Sequence, residues 1–264
     1  MERGLTGPAG PDRFASWLAA LDARHLADFT PKEVARALRA LSSCYVERRA
    51  RLAQGGALDS AGKRAAFALF YAPLHFLVTR EILRALPGAL NGVREVQDVG
   101  CGTGSAGAAW ALESGAASIR GFDASAWAVN EARWTYAQLG LAGRAAARDV
   151  NRATVSVGEG TATIVAYVAN ELADPTRTKL LERLLTIGRD GDRVLLIEPI
   201  ARRAMPWWPE WERALISEGG RADEWRFPSS LPQRQGALAR AAGLDPRELT
   251  ARSLYLPPSR PSGG

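Results

Sequence analysis

The segment Asp98-Val99-Gly100-Cys101-Gly102-Thr103-Gly104 carries the clearest chemical signal in the chain. A short apolar run, Glu95 to Val99, leads directly into three alternating glycines, and an alanine-rich helical stretch follows. Glycine permits a sharp turn and leaves no Cβ between backbone and ligand, while the N–H groups opening the next helix suit polar or anionic ligand atoms. Asp98 stands two residues before the first glycine, where its carboxylate meets a cationic amino group. A ligand with a methionine moiety offers that amino group and a carboxylate for the helix; a pyrophosphate would be repelled by Asp98. Gly102-Thr103-Gly104-Ser105-Ala106-Gly107 also satisfies the G-x-G-x-x-G pattern, so a dinucleotide is the competing ligand, and a glycine-rich turn with no ligand is the third reading.

Further along the chain, acids recur where strands should end. Gly121-Phe122-Asp123-Ala124-Ser125 places a carboxylate beside a ribose, whose two hydroxyls Asp123 can accept, with Ala124 and Ser125 next to it. Capping of the helix that begins near Ser125 is the plainer role for Asp123. In Arg148-Asp149-Val150, Asp149 reaches a base amino group with Val150 beside it, or is a simple turn residue. Asn170-Glu171-Leu172 follows a long apolar run, and ligands of open α/β sheets bind at such carboxyl ends. Asn170 and Glu171 are therefore candidates for the reacting end, Glu171 as general base or hydrogen-bond acceptor; helix capping is the alternative for Asn170. Trp207, Trp208 and Trp211 either form an aromatic wall that stacks on a planar substrate or face the core.

The elements that must position these residues change character near Gly92. From Asp12 to Leu86 apolar residues recur at helical spacing, as in Val34, Leu38, Leu41 and Tyr45, then Phe67, Phe70, Leu74, Leu77 and Val78. Thr30-Pro31 supplies a helix N-cap with proline at the first helical position, and Pro87-Gly88 closes the last helix. After Gly92, short apolar strands alternate with helices, the pattern of βαβ units and a mainly parallel sheet. Strands are expected at Glu95–Val99, Ser118–Phe122, Ala145–Asp149, Ala162–Ala169, Arg193–Glu198 and Leu249–Leu256, with late helices at Trp207–Glu218 and Gln233–Ala242. The organisation is a disordered lead (1–11), a helical N-terminal region (12–91), a sheet domain (92–256) and a disordered tail (257–264).

At 264 residues, 47% hydrophobic and 23% charged, the chain can bury a sizeable core. No apolar run approaches the roughly 20 residues that span a bilayer, and the first residues lack a signal-peptide pattern, so a cytoplasmic protein with no membrane association is expected. Cys44 and Cys101 are too few for a disulfide framework, and neither has metal-ligand spacing with His25 or His75, so no metal is expected. The net charge is +6 and the pI about 9.8. Residues 32 to 64 hold eight bases (Lys32, Arg36, Arg39, Arg48, Arg49, Arg51, Lys63, Arg64) against Glu33, Glu47 and Asp59. That stretch is either a solvated helix face or a surface for RNA.

The glycine loop together with the Asp123 strand resembles class I S-adenosylmethionine (SAM) dependent methyltransferases over about residues 92 to 200. Leu41-Ser42-Ser43-Cys44-Tyr45, Ala166-Tyr167-Val168-Ala169-Asn170-Glu171-Leu172 and Val194-Leu195-Leu196-Ile197-Glu198-Pro199 resemble, more narrowly, the methyltransferase-like family of the mitochondrial small ribosomal subunit and its bacterial relatives. The resemblance implies a Rossmann-like class I α/β sheet with helices on both faces, SAM in the Gly100 to Gly104 loop, Asp123 on the ribose, and association with ribosomal RNA or the small ribosomal subunit. Many members of that family carry cysteines for an iron–sulfur cluster, whereas Asp223-Glu224-Trp225-Arg226-Phe227-Pro228 has none, so no cluster is expected here. The Asp/Asn-Pro-Pro-aromatic motif associated with methylation of exocyclic base amines is absent, and Cys101, inside the loop, is placed wrongly for a methyl-accepting thiol. Three functions follow: methyl transfer to RNA or a ribosome-associated acceptor, methyl transfer to a small molecule, and SAM binding in ribosome assembly without transfer.

Overall fold

A computed structural model describes residues 10–47, 58–153, 155–201, 205–228, 230–244 and 247–258. Four helices come first: α1 (Gly10–His25), α2 (Pro31–Glu47), α3 (Ala61–Ala66) and α4 (Ala72–Ala85), the last two joined by a π-helical turn at Phe67–Tyr71. The start of α2 follows from its residues: the Thr30 N–H and hydroxyl both donate to Glu33 Oε2 at 2.8 Å, and Pro31 stands first in the helix. Trp17, Leu21, Val34, Leu38 and Leu41 all face inward. Helix α1 begins at Gly10, inside the lead expected to be disordered. The rest of that lead, and most of the expected tail, lie outside the described residues.

The continuous helical stretch Ala61–Ala85 is long and apolar enough to cross a membrane by length and composition, which corrects the expectation that no such run exists. Its apolar window is 72% buried within the protein, as befits a core helix. Thr79, Ile82, Leu83 and Phe76 are packed out of solvent.

The second part alternates strands and helices: β1 (Glu95–Val99), α5 (Ser105–Ser114), β2 (Ser118–Asp123), α6 (Ala126–Gln138), β3 (Gly143–Ala147), β4 (Thr161–Ala166), α7 (Asp174–Arg189), β5 (Arg193–Glu198), α8 (Trp208–Ser217), β6 (Arg221–Pro228), α9 (Gln233–Ala241) and β7 (Glu248–Leu256). The strands form one sheet in the order β3-β2-β1-β4-β5-β7-β6, with β1 to β5 parallel and β7 antiparallel to both its neighbours. Alternation along the strands divides the core: Val96, Ile119, Ile164, Leu195 and Ile197 pack on one face, Val99, Phe122, Val165, Val194 and Leu196 on the other. The order reverses between β1 and β4, which opens a crevice at their carboxyl ends.

Three strand expectations are corrected. Strand β3 begins and ends two residues earlier than its pattern suggests, leaving Asp149 in the following turn. Strand β4 stops at Ala166, because Tyr167 adopts φ 63 and turns the chain out of the sheet. Strand β6 went unpredicted: it is an edge strand whose charged residues, including Arg221 and Asp223, are paired at the surface, so it shows no apolar run.

The N-terminal helices are fastened to this sheet unit. Arg24 Nη2 and His25 Nε2 reach Glu131 of α6 at 2.8 and 3.2 Å, and Arg39 Nη2 donates to the Ala241 carbonyl at 2.9 Å. From the other side, Gln235 Nε2 of α9 donates to the Leu69 carbonyl at 3.1 Å.

Candidate active site

At the crevice, β1 delivers the glycine loop. Gly100, Gly102 and Gly104 all have positive φ (76, 51 and 80°), the region in which side chains are costly. Their surroundings differ. A Cβ at Gly100 would collide with Val168, and one at Gly104 would lie 2.6 Å from Tyr136 Cε1, whereas nothing stands within 4 Å of a Cβ at Gly102. Gly102 is therefore the open face of the loop. Beside it, Thr103 is 3% exposed, and its hydroxyl oxygen has no hydrogen-bond partner among the described residues.

Cys101 turns the other way. It is buried, its N–H donates to the Phe122 carbonyl at 2.9 Å, and its sulfur lies under Gly121 and against the Tyr136 hydroxyl, so the side chain expected at the cofactor faces the core. Burial pushes the Cys101 thiol well up, which leaves it protonated and unreactive.

Asp98 is 1% exposed and accepts the Gly107 N–H of α5 at 2.9 Å. That bond requires glycine at 107, where a Cβ would come within 2.6 Å of Asp98 Oδ2. Burial, aided by the charge of Asp123, pushes the Asp98 carboxyl up to about 7. Asp98 thus braces the first turn of α5, whose other leading N–H groups have no carbonyl one turn behind them.

Asp123, at the end of β2, holds the turn into α6 without capping it and keeps capacity beyond that role. Oδ2 accepts the Gly102 N–H at 2.9 Å and Oδ1 the Ser125 N–H at 2.8 Å, while Ser125 Oγ caps α6 through the Ala128 N–H. A carboxylate has about four acceptor positions, so two remain. Ala124 and Ser125 are exposed at the mouth of the crevice. Asp149 is exposed and accepts the Asn151 N–H at 2.9 Å in a local turn; Val150 is buried beside it among Val99, Phe122 and Val165.

Asn170 and Glu171 occupy a short 3₁₀ turn, Ala169–Glu171, gripped from several sides. The Asn170 N–H donates to Glu198 Oε1 at 3.2 Å, and Arg177 Nη1 donates to the carbonyls of Leu172 at 3.1 Å and Ala169 at 3.3 Å. Burial and the charge of Asp123 push Glu171 up to about 7, poised between acid and base at neutral pH. Glu198, missed as a site residue, is the fully buried last residue of β5. Its second oxygen has no hydrogen-bond partner among the described residues, and burial pushes its carboxyl up to about 8. The signal available in the sequence was an acid closing an otherwise apolar strand.

The tryptophans are corrected. Trp208 and Trp211 are 4% and 2% exposed and pack with Met205, Leu184 and Leu254, and Trp207 is half-buried beneath the Arg177 guanidinium, 5.3 Å from its ring. Trp208 and Trp211 belong to the core where α8 packs on β6 and β7, because a helix covering a sheet buries large apolar side chains. The basic stretch is also changed. Arg39 is exposed yet bonded to α9, Lys63 is paired with Asp59 at 2.9 Å, Arg64 is bonded to the Leu58 carbonyl at 2.9 Å, and Lys32 and Arg36 are exposed; Arg48, Arg49 and Arg51 lie outside the described residues. Among the described residues no group of three or more His, Cys, Asp or Glu side chains could hold a metal ion.

Residues 78–165 match the family described as methyltransferase small domain. Mitomycin 7-O-methyltransferase has a similar structure, with a TM-score of 0.53 and 16% identity over 96% of this chain and 76% of that one. Magnesium protoporphyrin IX methyltransferase from Synechocystis PCC 6803, solved with bound SAM, gives 0.45 and 15% over 69% and 78%. The ribosomal protein L11 methylase from Lactobacillus delbrueckii subsp. bulgaricus gives 0.43 and 17% over 71% and 78%. No curated protein matches the chain. The sheet unit has the fold seen in a Rossmann-like methyltransferase, and the segment 78–165 within it is similar to the methyltransferase small domain, a class whose cofactor is SAM.

The residues present fit SAM. SAM supplies an electrophilic methyl group on a cationic sulfonium, and the crevice offers the open face of Gly102, the unpartnered Thr103 hydroxyl and a set of coupled carboxylates.

Proposed function

We propose that the protein is a SAM-dependent methyltransferase that acts on RNA or on a ribosome-associated acceptor. In this reading the backbone of Gly100, Gly102 and Gly104 lines the cofactor, with Asp98 bracing the loop toward the methionine amino group. Asp123 takes the ribose hydroxyls next to Ala124 and Ser125, and Asp149 and Val150 flank the adenine. Asn170 and Glu171 stand on the acceptor side, Glu171 receiving a proton or a hydrogen bond from the incoming nucleophile.

The observation that carries the assignment of sides is the Ala169–Glu171 turn, which sets a half-buried carboxylate within electrostatic reach of Asp123 at the carboxyl end of β4. The chain's contribution to rate is then mainly orientation, with water kept from the buried carboxyls. The RNA side rests on the net charge of +6 and on the resemblance to ribosome-linked methyltransferases. A small-molecule acceptor is the second reading, favoured by the engagement of Arg39, Lys63 and Arg64 with other groups of the same chain.

Transfer of a tritiated methyl group from SAM separates these readings, with small-subunit ribosomal RNA and assembled small subunits in one series and neutral aromatic hydroxyl and amine compounds in the other. Label in RNA that falls steeply with salt supports the first; label in small molecules only supports the second. Tight binding of S-adenosylhomocysteine (SAH) without label in any acceptor favours a binding role in assembly.

A further inference from the structure

Tyr167 has φ 63, the one non-glycine positive φ among the described residues. A side chain persists there when its surroundings over-determine it, and such residues cluster at functional sites. Glycine would take the conformation freely, so the tyrosine ring is in use. It stacks face to face on His75 of α4, with centroids 3.9 Å apart and planes 16° from parallel. The His75 ring is in turn flanked by Phe67 at 5.9 Å and Tyr71 at 6.0 Å. Phe67 and Tyr71 bound the π-helical turn, an irregularity that re-aims the helix after it and is frequent at functional sites. Burial keeps the imidazole neutral, its pKa pushed down to about 3, so it packs as a flat neutral ring.

The turn begun at Tyr167 decides two contacts of the site. Val168 is set so close to Gly100 that no Cβ fits between them, and the chain continues into the 3₁₀ turn bearing Glu171. Ile197, Glu198 and Arg177 hold this segment from the sheet and α7. From the helical region it is held by His75.

We propose that His75 is a positioning residue of the methyltransferase site: its ring locks the left-handed turn at Tyr167, which seats Val168 on the cofactor loop and aims Glu171. The N-terminal helices therefore complete the active site, beyond any part they play in docking a substrate. This rests on the reading of the glycine loop as the SAM site.

The chain has two histidines, so their imidazole signals in an NMR spectrum are assigned with one substitution, His25→Gln. Saturating SAH is expected to shift the His75 signals more than those of His25. Calorimetric titration with SAH, well below every variant's melting point, is expected to show His75→Ala weakened about tenfold, the weight of one aromatic pair, and His75→Phe restored to within about threefold of the wild type. A scaffold role alone lowers the melting point and leaves the affinity of the folded protein unchanged. SAH affinity within about twofold of the wild type in His75→Ala, a change too small for a lost aromatic pair, overturns the proposal. Should His75→Ala fail to fold, Tyr167→Gly keeps the backbone conformation without the ring and is read in its place: the same loss supports the proposal, unchanged affinity overturns it. A wild-type chain that binds no SAH removes the cofactor reading and this inference with it, whereas tight wild-type binding with indifferent variants removes this inference alone.

Discussion

Alanine at Gly102 should cost at least as much in ligand affinity as in stability, and alanine at Gly100 should cost more stability than alanine at Gly102. Gly102 has φ 51 and nothing within 4 Å of its would-be Cβ, so Gly102→Ala meets the left-handed backbone penalty and no clash. That penalty is about 1–2 kcal/mol. At about 2–4 °C per kcal/mol for a chain of this size, the melting point should fall by roughly 2–8 °C. The added methyl group projects into the face where the cofactor is proposed to lie. Forcing a methyl into a filled contact costs about 1–3 kcal/mol, or roughly 5- to 150-fold in SAH affinity.

At Gly100 the φ is 76, and a Cβ would overlap both γ-carbons of Val168. Strain and overpacking then add to about 2–5 kcal/mol of lost stability. Thermal unfolding and SAH calorimetry on the two variants side by side test the contrast. Gly102→Ala binding SAH within twofold of the wild type would refute the placement of the cofactor on that face.

Further outcomes are expected at the other carboxylates. Asp123→Ala should lower SAH affinity by about 2 kcal/mol or more, since it unpairs the Gly102 N–H as well as the ribose hydroxyls, and unchanged affinity in calorimetry rejects the role. Glu171→Gln should leave SAH affinity in place and cut methyl transfer roughly 100-fold if Glu171 is the base; undiminished turnover excludes that. The ligand-free protein should melt lower at pH 8.5 than at pH 5.5: Asp98, Glu171 and Glu198 are pushed up to about 7, 7 and 8, so between the unfolded values near 4 and these folded values the native state holds more protons, and its stability declines as pH rises. Glu198→Gln should flatten that slope, and a slope left unaltered counts against a buried Glu198. Glu131→Ala, which frees Arg24 and His25 of α1, should destabilise by about 1–3 kcal/mol in thermal unfolding with no change in SAH affinity; a matching loss of affinity would show that α1 docking reaches the site.

The parts of the site legible in the sequence are those where local chemistry dictates the answer. Three alternating glycines after an apolar strand require positive φ, and all three have it. An acid closing β2 next to a helix start is held there by backbone N–H groups whatever the ligand. The illegible parts are imposed by distant neighbours. The apolar run through Ala169 reads as strand, yet β4 stops at Ala166 because a ring from α4 stabilises an unfavourable turn that no local preference favours. His75 had no motif to announce it, since its partner belongs to a different region of the chain. Trp208 and Trp211 admitted a stacking wall beside the commoner reading as core, and burial of α8 against β6 and β7 decides for the core. Strand β6 was hidden by its charged, alternating edge composition.

The electrostatics of the crevice favour a cation at its centre. Asp98, Asp123, Glu171 and Glu198 come from the ends of four neighbouring segments, and the charge of Asp123 acts on both Asp98 and Glu171 while that of Glu171 acts on Glu198. Without a positive partner, burial and mutual repulsion drive these groups toward their neutral forms. A dinucleotide would add two phosphate charges to such a site, and its repulsion would be strong in a water-poor pocket. A sulfonium with a nearby ammonium does the opposite and lets the carboxylates stay ionised. Were SAM bound here, these carboxylates would hold its cationic form more tightly than the neutral thioether left after transfer, so the acidic lining would favour donor over product.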